Sequence, residues 1–121
     1  VNSSITINGV AANLGSTVTI AAGTDWQSNI VTSALTLTAG EGYFVNTTSS
    51  SFTVTLPGSP TIGDEISIID YARTFDTNTL TVGRNSEPIQ GAAADLTVSV
   101  EGAGFTLVYT DGTSGWLLRD I

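Results

Sequence analysis

Apolar and polar residues alternate with a period of two along most of this chain, as half-buried β-strands require. Ser4 to Ile7 and Val10 to Leu14 flank Asn8-Gly9, a pair that tolerates positive φ and signals a hairpin. Thr17 to Ile20 alternates again, and the fragments between Trp26 and Thr38 read as two short strands broken near Ser33. Asp25 equally suits the cap of a helical turn over residues 25–31. Further strands are expected at Tyr43 to Asn46, Phe52 to Leu56, Glu65 to Asp70, Leu80 to Gly83 and Leu96 to Val100. Thr47 to Ser51 reads as a turn, and Pro57 to Asp64, Tyr71 to Thr77 and Arg84 to Asp95 as loops.

The last hairpin departs from this rhythm. In GFTLVYTDGTSGWLL, Phe105, Leu107 and Tyr109 face one side and Thr106, Val108 and Thr110 the other, but Trp116, Leu117 and Leu118 are apolar on consecutive positions. A strand that is apolar on both faces is stable when its second face meets a neighbouring copy of the chain or an adjoining segment. Trp116, Leu117, Leu118, Tyr109 and Arg119 are therefore the expected oligomer contacts.

Strands every ten residues or so, separated by Gly, Pro, Asn and Ser, point to an all-β fold, expected as a compact antiparallel β-sandwich or β-prism-like domain. A boundary near Ala21 to Asp25 divides the chain into a hairpin and connecting segment, 1–25, and a main β-domain, 26–121. Of 121 residues only 12% are charged and 40% are hydrophobic, so Thr, Ser and Asn must cover the solvated faces. With Val at position 1 and no Met, the chain reads as a cut from a longer one, and VNSSITI lacks the cationic and apolar regions of a signal peptide.

The formal charge is −8, and Arg73, Arg84 and Arg119 are the whole complement of cations. Nucleic acid and anionic membrane surfaces are disfavoured partners for such a chain, and no apolar run approaches the length of a membrane span. The absence of Cys rules out disulfide staples, and the absence of His removes imidazole metal sites and the usual catalytic base. Without Lys there is neither a Schiff base nor a P-loop. Carboxylates remain: Asp64, Glu65, Asp70, Asp76 and Asp111 are the candidates for a glycosidase pair, yet neighbours such as Asp64 and Glu65 point to opposite faces of a strand. Calcium is the metal such oxygen ligands would hold, with Asp76-Thr77-Asn78 and Asp111-Gly112-Thr113 as the runs offering them, although neither has EF-hand spacing. The expectation is a non-enzymatic protein without a cofactor. Trp26 and Tyr71, beside loops, are the aromatics most open to stacking on a sugar.

YFVNTTS, VTLPGSPTIGDE, DTNTLTVGRN and the final YTDGTSGW together resemble a β-rich module near the ends of tail-fibre and other virion structural proteins of tailed phages, particularly cyanophage-like ones. SITINGVAANLGSTVTI is similar to a segment that precedes such modules. The resemblance implies a non-enzymatic surface module of a virion, commonly a homotrimer, either contacting the host envelope or decorating the particle; the expected role is adsorption to a host-surface glycan alongside other virion proteins. Its exposed loops, with Tyr71, Arg73, Asp76, Asn78, Arg84 and Asn85, are the expected ligand contacts. A capsid decoration protein bound to the lattice is the alternative, and a glycan depolymerase ranks last for want of an acid pair.

Overall fold

A computed structural model describes residues 4–7, 10–13 and 23–119. The described residues form eleven strands and no helix: β1 (Ser4–Ile7), β2 (Val10–Asn13), β3 (Asp25–Trp26), β4 (Leu35–Thr36), β5 (Glu41–Val45), β6 (Phe52–Thr55), β7 (Glu65–Asp70), β8 (Leu80–Gly83), β9 (Leu96–Val98), β10 (Gly104–Tyr109) and β11 (Trp116–Arg119). The helical turn that Asp25 was suited to cap is absent, because Asp25 lies in β3. The hairpin strands β1 and β2 pair antiparallel with Ile7 opposite Val10, while the Asn8-Gly9 turn and the Thr17 to Ile20 run lie outside the described residues.

Two larger sheets hold the rest, one ordered β11-β10-β7-β5-β3 and the other β4-β6-β8-β9. Both are mixed, which corrects the antiparallel expectation: β3, β5 and β7 run parallel in the first sheet and β4, β6 and β8 run parallel in the second. From β3 to β8 the chain alternates between the sheets, so each strand's parallel neighbour is two elements away. Parallel pairing needs a crossover longer than a hairpin turn, and here the intervening strand of the opposite sheet supplies it. Only after β8 does the chain fold back, with β9 antiparallel to β8, β10 to β7, and β11 to β10.

One core lies between the sheets. Tyr43, Ile68 and Phe105 stand in register on β5, β7 and β10, all buried. From the other sheet, Val54 and Val82 pair in register and are fully buried, as is Leu80, with Phe52 packed against them. The alternate positions carry Thr53, Thr81 and Thr97, adjacent in register on β6, β8 and β9, where a branched Cβ suits the pleat and the hydroxyl stays wet. Alternation survives in the second sheet, whereas in the first Ser67 and Thr106, in register on the face opposite the core, are buried too and share a hydrogen bond (2.9 Å).

The alternate winding also sorts the loops. Residues 46–51, 71–79 and 99–103 lie together at the end where β5, β7 and β9 finish. Residues 56–64, 84–95 and 110–115 lie together at the end where β6, β8 and β10 finish.

Candidate functional site

At the first end a buried carboxylate organises the loops. Asp70, 4% exposed, accepts hydrogen bonds from the backbone N–H groups of Thr74 (3.1 Å) and Phe75 (3.0 Å) in one loop and Gly102 (3.0 Å) in another. Asn78 donates its side-chain amide to the carbonyls of Thr47 (2.8 Å) and Thr48 (3.2 Å), and the hydroxyls of Thr47 and Thr74 lie 2.7 Å apart. Asn78, expected as a ligand contact, is therefore a lock between loops. Phe75 fills the space beneath, fully buried. Tyr71, Arg73 and Asp76 stay exposed on this end, with Arg73 in the left-handed region at φ 57°.

Arg84 and Asn85 belong to the opposite end and share no surface with Tyr71 and Arg73. The Arg84 backbone N–H donates to Asp95 (2.9 Å), and Asn85 donates its amide to the Leu56 carbonyl (2.9 Å). The 84–95 segment is a strap along the free edge of β11: Trp116 donates to the Pro88 carbonyl (2.9 Å), Gln90 donates to the Trp116 carbonyl (2.8 Å), and Leu118 donates to the Gln90 side chain (3.1 Å). Paired in this way, β11 offers no open edge to another chain over Trp116.

Of the expected oligomer contacts, Trp116 and Tyr109 prove to be internal. They face each other across β10 and β11, ring centroids 5.4 Å apart in an edge-to-face arrangement, with Trp116 fully buried and Tyr109 8% exposed. Leu118 is half-buried against the same core. Leu117 alone of the three consecutive apolar residues turns outward, 40% exposed, beside half-buried Val108. Arg119 makes a 3.1 Å ion pair with Glu65, both partly exposed.

The Tyr109 hydroxyl donates to Glu87 of the strap at 2.7 Å. That bond, reinforced by burial, pushes its ionisation from the usual 10 up to about 12. A raised value in the folded state means that this contribution to stability is complete below pH 10 and is lost as pH rises through 12. In an absorbance titration, Glu87→Gln is expected to move the tyrosinate step near pH 12 downward and Tyr109→Phe to abolish it. Asp111 behaves in the opposite sense: the N–H groups of Ser114 and Thr113 hold its carboxyl below the usual range. Its side chain is thus committed to closing its own turn, and Asp76 is exposed on the other end. Among the described residues no three carboxylates gather as a metal cluster.

Trp26 lies on the outer face of the first sheet, 41% exposed and stacked on Phe44 with centroids 5.0 Å apart. Gly42 makes this possible, since a Cβ there would sit 2.6 Å from the indole ring.

A cleft of about 380 Å³ opens beside β3 and β4, which have two residues each. Gln27, Asn29, Thr32, Thr36, Thr38 and Glu41 line it, with Tyr43 at its floor. The Tyr43 hydroxyl donates to Glu41 Oε1 (2.6 Å) and accepts from the Thr38 N–H (2.7 Å), and burial followed by the Glu41 bond raises its ionisation. None of these residues carries a site signal in the sequence; scattered Thr, Asn and Gln become a site only when the fold gathers them.

Together these features define a β-rich domain of two mixed sheets around one core. No protein-family model matches the chain, and no curated protein matches it either.

Proposed function

We propose that this chain is a non-enzymatic structural module of a phage virion, a sandwich-like domain of a tail fibre or appendage tip that assembles as a homotrimer and adsorbs to a host-surface glycan. The motif set named above supports the virion assignment. The observation that carries the assembly is Leu117: an exposed leucine beside Val108, its outer register neighbour, at a sheet position rimmed by the Glu65–Arg119 ion pair. An apolar spot with a polar rim is the anatomy of a subunit contact. Weak sites repeated around a three-fold axis gain avidity on a surface that presents many copies of the ligand.

Light scattering tests the assembly directly. The expected mass in solution is three times 12.4 kDa. Leu117→Asp is expected to yield monomer that keeps the wild-type circular dichroism, because the side chain is outside the core. A wild-type monomer, or an Asp variant that remains trimeric, would remove Leu117 from the assembly. Adsorption is tested by incubating labelled trimer with cyanobacterial cells and with their purified envelope polysaccharide.

A further inference from the structure

We infer that the cleft beside β3 and β4 is a binding site for a neutral saccharide, which deepens the adsorption reading above and rests on it. The loops expected to hold the ligand are divided between opposite ends of the domain, and Asn78 and Asn85 spend their side-chain amides on holding the fold together. The cleft, by contrast, is concave, and its volume of about 380 Å³ suits a small-molecule ligand.

Its chemistry selects the ligand class. The lining offers a carboxylate, two side-chain amides and several hydroxyls, and no cation. Such a set matches hydroxyl groups, each of which donates and accepts, whereas a uronate would bring a second negative charge beside Glu41 with nothing to neutralise it. Glu41 is also fixed in place: Tyr43 holds Oε1, and Oε2 accepts no bond from a described residue, so an acceptor stands ready with its rotamer already set. Gln27 is oriented in the same way, because its Nε2 donates to the Asp25 carbonyl (3.1 Å) and its Oε1 is left to accept. Half-buried Ile30 and exposed Leu35 supply an apolar wall for the C–H face of a sugar ring. Groups ordered before binding cost less to bring to the ligand.

The experiment is an amide chemical-shift titration of the whole chain with methyl α-D-glucopyranoside and, separately, sodium glucuronate. Saturable shifts at Asn29, Thr32, Thr38 and Glu41 are expected with the neutral sugar, with a dissociation constant of roughly millimolar order, and a far weaker response to glucuronate. Glu41→Gln, which keeps an acceptor for Tyr43, and Asn29→Ala, on an exposed loop, are each expected to weaken binding about tenfold, while Thr113→Ala leaves it unchanged. The site is overturned by absence of saturable shifts with the neutral sugar, equal binding of glucuronate, or variants that bind as wild type. Cell adsorption separates the two readings. If wild type and Glu41→Gln adsorb equally, the cleft is not the site while adsorption stands; if the cleft titrates but no cell is bound, the adsorption reading falls and the saccharide site survives.

Discussion

Trp116→Ala is expected to destabilise the folded subunit by about 3–5 kcal/mol, the usual consequence of removing a large aromatic from a packed core. The indole is fully buried between Tyr109 and the strap that carries Ile89, so truncation leaves a cavity and strips the edge-to-face contact from Tyr109. Guanidinium unfolding monitored by circular dichroism measures the loss as a fall in midpoint. Trp116→Phe should cost clearly less, for two reasons: most of the volume is kept, and the indole N–H, buried without an acceptor among the described residues, is removed with its desolvation penalty. Leu117→Ala, one position along and facing out, should barely move the midpoint of the isolated subunit. Equal midpoints for Trp116→Ala and Leu117→Ala would contradict this packing.

Gly115→Ala is expected to cost about 3 kcal/mol or more, counting the left-handed backbone penalty and the hydrogen bond to the strap that must break. Gly115 has φ 68°, and a Cβ there would stand 1.9 Å from the Pro88 carbonyl oxygen. That oxygen is the acceptor for the Trp116 N–H, so the clash cannot be relieved by a side-chain rotation; the strap itself has to lift. Amide hydrogen exchange gives the signature. Protection should fall at Gln90 and Trp116, whose N–H groups pair strap with β11, and at Gly91, which donates to the Ser114 carbonyl in the turn before it, ahead of any loss in β5 and β7. Uniform loss across both sheets would mean that the strap and the core unfold as one unit.

These two neighbours show what local pattern could and could not convey. Three apolar residues in a row at Trp116, Leu117 and Leu118 announce that both faces of the strand need company. They do not say that the company for Trp116 and Leu118 comes from the chain's own core and for Leu117 from elsewhere. The strap explains the difference. Residues 84–95 carry turn-forming residues and read as a loop, and nothing in their periodicity marks Pro88 and Gln90 as partners for β11. Likewise Asp70 ends an alternating strand and looks like a solvated acid, yet it is buried because three backbone donors from two loops converge on it. The Asn8-Gly9 hairpin strands, the Phe52 and Leu80 strands and the turn at Thr47 to Ser51 were legible because each depends on residues adjacent in the chain.

What the sequence by itself determined is the β character of the chain and which residues share a face of each strand, since both follow from a two-residue period and from turn chemistry that act locally. Strand partners, the parallel direction of most central pairs and the gathering of Gln27, Asn29, Thr32 and Glu41 around one cleft were decided only by tertiary structure. Alternation places a side chain inside or outside a sheet but is blind to the neighbour on either side, and a polar cleft is built from residues whose separation in sequence carries no period.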